Sequence, residues 1–176
     1  MGGGCRGREL AKELREQGHA LRISTRSEQG RAAIEATGAE CWVGTPERLA
    51  TLRGVLDGVA IACWMLARAE GPERDLLELH NERLQFFLTQ LIDTTVRGFV
   101  YERGDGRQLA HERGEGDRRR DERATPAAVL AAGEQSARRL TERNKIPLAL
   151  LCADASERSA WLAAAHDSIA RLLARA

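Results

Sequence analysis

The residues with the clearest chemical spacing are glycines. Gly2, Gly4 and Gly7 fit G-x-G-x-x-G, and a helical pattern with Leu10, Ala11 and Leu14 as its apolar stripe follows at once. In that spacing Gly2 allows a tight turn out of a strand. Gly4 lets the backbone approach a pyrophosphate, and Gly7 lets the helix pack closely on a sheet. The first-turn N–H groups and the positive helix end then attract phosphate oxygens. Gly18 stops the helix, His19 to Thr25 alternate as a short strand, and Arg26 sits at its end. The glycine pattern alone is weak evidence; helix, glycine stop and strand together make it a dinucleotide-binding turn.

Other reactive side chains carry less. Cys5 sits where a helix N-terminus could lower a thiol pKa, yet it also reads as a small packing residue. His80 and Asn81 fall mid-helix and read as surface residues. His111 and Glu112 lie in a highly charged stretch, and the four cysteines (Cys5, Cys41, Cys63 and Cys152) contain no C-x-x-C. With the histidines equally dispersed, no metal site is expected. Trp42, Trp64 and Trp161 read as core or helix–sheet seam residues.

A chain of 176 residues suits one domain, 1–176, with enough length for a real core. Apolar residues make up 43% and charged residues 30%, and the net charge is +1. No bulk field therefore argues for nucleic acid, and no apolar run is long enough to span a bilayer. No signal peptide precedes the glycines. The scattered cysteines suit reduced, mostly buried thiols and a cytoplasmic protein. A homo-oligomer is compatible with this composition.

The elements that must position the glycine turn alternate strand and helix. Ser27 is expected to cap a helix through Thr37, with Ala32, Ala33 and Ile34 inward and Gly38 closing it. Ala39–Val43 reads as a strand. Thr45 caps, and Pro46 opens, a helix over Glu47–Leu56 with Leu49, Leu52, Val55 and Leu56 as its stripe. The apolar run Val59–Leu66 is a buried parallel strand. A long helix over Glu73–Ile92, a strand Val96–Tyr101, a helix from Thr125-Pro126 to Arg143, a strand Lys145–Cys152 and a closing helix Ser156–Arg175 complete the pattern. Between them, Glu102 to Arg123 holds seven acidic residues and seven arginines with four glycines. That balance describes a solvated, flexible insertion at about 102–124 rather than a nucleic-acid arm.

The fold class is α/β, a doubly wound parallel sheet in three layers. One part is absent: the glycine motif should follow a central strand, and only Met1 precedes Gly2. About five buried apolar residues there would contribute on the order of 10 kcal/mol, comparable with a domain's whole net stability. The reading expects the polypeptide to begin upstream of Met1. The alternative is a gap filled by another segment or a partner chain. With that strand restored, the order is 3-2-1-4-5-6.

The chain resembles NAD(P)-binding Rossmann proteins of the atypical short-chain dehydrogenase and NAD-dependent epimerase group. Gly2 to Gly7, Gly18-His19, Thr25-Arg26-Ser27, Gly38-Ala39-Glu40, Gly44-Thr45, Leu56-Asp57-Gly58 and Val96 to Tyr101 carry the resemblance. It implies that Gly2, Gly4, Cys5, Arg6 and Gly7 surround the cofactor pyrophosphate and that Thr25, Arg26 and Ser27 meet the adenosine ribose. NAD-binding members usually have Asp or Glu at that strand end. Arg26 instead suits a 2′-phosphate by charge and bidentate geometry, which favours NADP over NAD.

The chain departs from the group at several places. Thr45 stands where many relatives place an Asp beside the adenine, and Trp64-Met65-Leu66 is bulkier than the usual strand end. The catalytic Tyr-x-x-x-Lys is absent: the only tyrosine is Tyr101, with Asp105 four residues on. Tyr101 thus reads as a strand-end aromatic packed under the insertion, and no catalytic residue is assigned. The larger C-terminal substrate domain of epimerases also has no counterpart. The function expected is an NADP-dependent oxidoreductase or epimerase-like enzyme of unassigned small-molecule substrate. The alternatives are a dinucleotide-binding sensor without turnover and a degenerate domain that has lost its ligand.

Overall fold

The structure, a computed structural model, describes residues 4–52, 54–104 and 125–175. Helix α1 (Cys5–Glu16) leads into β1 (Arg22–Thr25). A 3-10 turn and the short α2 (Arg31–Glu35) lead to β2 (Glu40–Val43). Two 3-10 turns, Pro46–Leu52 and Gly54–Leu56, connect to β3 (Ile61–Trp64). Then α3 (Glu73–Glu78), a π turn (Leu79–Arg83) and α4 (Leu84–Gln90) run on as one rod. The rest comprises β4 (Gly98–Glu102), α5 (Ala127–Arg143), β5 (Leu148–Leu151) and α6 (Arg158–Leu173).

All strand pairs are parallel. They form a two-stranded sheet, β1–β2, and a three-stranded sheet, β3–β4–β5. The pairings within each sheet are those that the expected 3-2-1-4-5-6 order gives to its strands 2-3 and 4-5-6. β4 is buried along its whole length, so its residues divide between two layers. Phe99 and Tyr101 pack with Trp64, Leu84, Phe87 and Leu88 towards α4 and α5. Val100 packs with Leu10, Leu14, Trp161 and Ile169 towards α1 and α6. Ile23, Ile34, Ala11 and Cys41 join α1 and α2 to the smaller sheet. The result is the three-layer arrangement expected.

The glycine stops stand where the pattern puts them: Gly18 and Gly38 have φ of 90° and 78°, values a side chain would oppose. Other expectations need correction. Glu47–Leu56 is not an α-helix. The Trp42 indole N–H takes the carbonyl of Thr51 at 2.6 Å, and a Cβ at Gly54 would fall 2.7 Å from the Trp42 ring. Tertiary packing of one indole thus overrides the local helical pattern, with a kink at Arg48 (φ −129°, ψ 71°). Ser27 makes no side-chain cap hydrogen bond. The Thr45 hydroxyl is buried without a partner among the described residues. Ala32 and Ala33 are exposed; Ile34 alone anchors α2 in the core. Cys5 and Cys152 are exposed rather than buried. Glu102 ends β4 and is 1% exposed, so the solvated stretch does not begin there. The remainder of that stretch, from 105 to 124, lies outside the described residues.

Candidate dinucleotide site at the carboxyl edge of the sheet

The carboxyl ends of β1 and β3 and the amino end of α1 open onto one cleft of about 860 Å³. Gly4, Cys5, Arg6 and Gly7 line it from α1, Thr25 and Arg26 from the end of β1, and Met65, Leu66 and Arg68 from the end of β3. The sequence-predicted residues are therefore brought together, except Gly2, which lies outside the described residues, and Ser27, which stands just beyond the lining.

Each takes a distinct place. Gly4 is extended (φ −68°, ψ 171°), and no side chain caps α1. The helix's first N–H groups have no intrahelical acceptor by geometry, and the residues that carry them, Cys5, Arg6 and Gly7, line the cleft. Gly7 is buried, as close helix packing requires. Arg6 turns away from the mouth: its guanidinium donates to the Ala155 carbonyl at 3.0 Å and lies 5.0 Å from the Trp161 ring centroid. Cys5 accepts from Arg8 at 3.3 Å. Arg26 is exposed, with no ion pair among the described residues. The nearby Glu28 does not neutralise it. Its carboxylate accepts from Arg31 at 2.5 Å, and that hydrogen bond holds it below the usual carboxylate range.

A close approach shapes the Arg26 turn. A Cβ at Gly30 would lie 2.4 Å from the Thr25 hydroxyl oxygen. That hydroxyl donates to the Ser27 carbonyl at 3.3 Å. Gly30 thus lets the chain fold back over the strand end that presents Arg26.

Two side chains at the cleft, Arg68 and Glu102, were not singled out from sequence, and a third, Trp64, was read there as a core residue and a bulky strand end. Arg68 is exposed on the loop after β3 and adds a second positive charge to the mouth. Glu102 accepts from the Trp161 indole N–H at 2.8 Å and from the Ala67 backbone N–H at 3.1 Å. One carboxylate thereby ties β4 to α6 and to the loop after β3. Trp64 stacks on Phe87 at 5.1 Å, and its buried indole N–H has no acceptor among the described residues.

Tyr101 is fully buried, outside the cleft lining, and packs under α5, where its hydroxyl donates to the Leu130 carbonyl at 3.2 Å; the expected cover, the insertion, lies outside the described residues from 105 on. His80 is not on the surface: it is 0% exposed, because the π turn carries it inward. Its Nδ1 lies 2.9 Å from the Tyr101 hydroxyl and its Nε2 3.3 Å from the Leu66 carbonyl. Burial lowers the His80 pKa to about 4, against a smaller opposing effect of the Leu66 hydrogen bond. The neutral ring has one hydrogen, and only a donor can serve the Leu66 carbonyl, so Nε2 donates and Nδ1 is an acceptor that shares the single Tyr101 hydroxyl proton with the Leu130 carbonyl, 3.2 Å from that hydroxyl. Burial first, then Glu134 and Glu102, raises the tyrosine pKa far above neutrality. Tyr101 is not an acid or base for the cleft.

No protein-family model and no curated protein matches the sequence. Solved structures do match. A short-chain dehydrogenase/reductase superfamily protein of Agrobacterium tumefaciens with bound NAD superposes with a TM-score of 0.63 at 22% identity, over 85% of this chain and 46% of that one. The Citrobacter sp. triphenylmethane reductase complexed with NADP(H) gives 0.57 at 17%, over 85% and 46%. UDP-glucuronic acid 4-epimerase from Bacillus cereus in complex with NAD gives 0.59 at 13%, over 86% and 56%. The fold is Rossmann-like. This Rossmann-like chain spans about half the length of the structures it matches. Among its described residues no helix is long and apolar enough to cross a membrane.

Proposed function

We propose that the cleft binds a nicotinamide dinucleotide, with NADP preferred over NAD, in an oxidoreductase or epimerase-like protein. The observation that carries the reading is the uncapped amino end of α1 opening into a cleft that Arg26 and Arg68 also line. Backbone N–H groups and the helix dipole suit a diphosphate. Arg26 and Ser27, with Thr25 shaping the turn, suit the adenosine ribose and its 2′-phosphate. Gly4, Cys5 and Gly7 lie where backbone can follow the pyrophosphate, while Arg6 braces the loop before α6; the role of Gly2 rests on the sequence spacing alone. The solved structures that share the fold and hold NAD or NADP(H) support the same reading. Bound there, the nicotinamide would supply hydride chemistry. This chain's own residues would bind and orient it.

A second reading, a dinucleotide sensor without turnover, is favoured by one observation. The chain's only tyrosine is buried against His80 rather than aimed into the cleft. Fluorescence titration with NADPH and NADH tests the shared part: NADPH binding at least about tenfold tighter supports it, and no binding of either overturns it. Oxidation of NADPH with a panel of carbonyl compounds then separates enzyme from sensor.

A further inference from the structure

Residues 66–69, in the loop after β3, form a tight turn that the Ala69 N–H closes on the Leu66 carbonyl at 3.0 Å. Ala67 and Arg68 are its corners; Ala67 is buried, and Arg68 is exposed in the cleft lining. Exposed loops are as a rule the least stable parts of a fold. This one is held by side chains from three other elements. His80, on the π turn, donates from Nε2 to the Leu66 carbonyl at 3.3 Å. Glu102, at the end of β4, accepts from the Ala67 N–H at 3.1 Å. Thr125, ahead of α5, donates its hydroxyl to the Ala69 carbonyl at 2.9 Å. The Leu66 carbonyl therefore uses both lone pairs, one for the turn and one for His80. The second Glu102 oxygen accepts from the Trp161 indole, and the Arg6 guanidinium lies over that ring. One buried carboxylate thus stands between the Arg68 turn and the first turn of α1, and both turns line the cleft.

We propose that Glu102, His80 and Thr125 are positioning residues for a bound nucleotide, holding turn 66–69 in one conformation so that Arg68 meets the diphosphate from backbone already in place. The inference rests on the dinucleotide reading above and adds how that charge is presented. A guanidinium on a mobile loop loses much of its attraction to the cost of ordering loop and side chain together. Fixing the backbone beforehand leaves only the side chain to order. The chemistry of the three contacts points the same way. Burying a carboxylate is costly unless its oxygens are hydrogen-bonded, and Glu102 gives one of its two oxygens to this turn. A mere connection between β3 and α3 needs no buried acid, buried imidazole and hydroxyl on three of its backbone groups. The three contacts act on Arg68 and not on Arg26, so their effect falls equally on NADPH and NADH.

The test measures NADPH and NADH affinity for Thr125→Val, Thr125→Ser and Glu102→Gln, each made in the wild type and in Arg68→Ala. In the wild-type background Thr125→Val and Glu102→Gln should weaken both nucleotides by about three- to tenfold. Thr125→Ser keeps the hydroxyl and should stay within about twofold of wild type. In Arg68→Ala the same substitutions should change affinity by less than about twofold, because the group they position is gone. Without nucleotide, the Ala69 amide should exchange about tenfold faster in Thr125→Val and Glu102→Gln. Thr125→Val leaves the Glu102 hydrogen bonds intact, so it carries the test if Glu102→Gln does not fold. Equal losses with and without Arg68 would overturn the proposal, as would unchanged Ala69 exchange. A wild type that binds neither nucleotide would overturn the dinucleotide reading and this inference with it. A wild type that binds, with losses independent of Arg68, would overturn this inference alone.

Discussion

A methyl group at Gly133 would lie 2.1 Å from the Tyr101 hydroxyl oxygen and 3.0 Å from the His80 carbonyl oxygen. The middle of α5 can pass over the end of β4 only because position 133 has no side chain. Gly133→Ala should gain about 1 kcal/mol of helix propensity and lose more through overpacking a core that cannot retreat. A net loss of about 2 kcal/mol is expected, read as a fall of about 4–8 °C in thermal midpoint for a chain of this size. Combining it with Tyr101→Phe should recover part of the loss, since the nearest clash is with the hydroxyl. Independent, additive losses in the double variant would show that the contact is not responsible.

The partner of that hydroxyl gives a pH dependence. His80 has a folded-state pKa of about 4 against about 6.5 in an unfolded chain. Below pH 6.5 the unfolded state takes up a proton that the folded state refuses. The stability difference is therefore lost as pH falls from about 6.5 to about 4, by about 3 kcal/mol in all, and changes no further below that. His80→Gln keeps a donor for the Leu66 carbonyl without titrating. The measurement is denaturant unfolding at pH 7.5, 6 and 5. Wild type should weaken relative to His80→Gln as pH falls, and parallel curves would remove His80 as the cause.

How much of this was legible follows from where local pattern and packing agree. Gly18 and Gly38 announce helix ends because the backbone conformation there is a property of the residue itself. The strand–helix alternation is legible because both faces of the sheet are covered. Glu47–Leu56 misleads because the Trp42 ring, brought in from β2, claims a carbonyl that an α-helix would need. His80 reads as exposed only if α3 and α4 are one regular helix; the π turn between them changes its bearing. Gly133 left a signal, a glycine inside the run Ala131-Ala132-Gly133 of a helix, where it costs stability without a reason in packing. Glu102 left none, since a strand-end acid before a charged stretch looks solvated until α6 places Trp161 over it. At the cleft, Gly4, Gly7 and Arg26, named from the sequence, fall together in its lining. Arg68 was not named, because its relation to α1 exists only across the sheet.

Glu102→Gln probes the tie between layers. The carboxylate accepts from two N–H donors, Trp161 Nε1 and the Ala67 amide. The amide side chain keeps one acceptor and turns a donor towards the other N–H, so one buried group loses its partner. A loss of about 1–3 kcal/mol is expected, together with a change in Trp161 emission. Glu102→Ala should cost at least as much. Wild-type stability in Glu102→Gln would mean that the two donors do not depend on this carboxylate.

Arg26 and Arg68 should separate if the cleft takes NADP as proposed. Arg26 stands at the end of β1, where a ribose 2′-phosphate would be met. Arg68 lines the same cleft from the loop after β3. Hydrogen bonds to charged groups contribute about 1.5–3 kcal/mol each. Arg26→Ala should therefore weaken NADPH by about ten- to a hundredfold and leave NADH within about twofold. Arg68→Ala removes a charge near the diphosphate that both cofactors share, so it should weaken both by a similar factor. Raising salt should reduce the NADPH advantage of the wild type more than that of Arg26→Ala, because the interaction lies at the exposed mouth. Equal losses for the two cofactors in Arg26→Ala would place the guanidinium on the diphosphate instead of the 2′-phosphate. The preference for NADP would then need another residue to carry it.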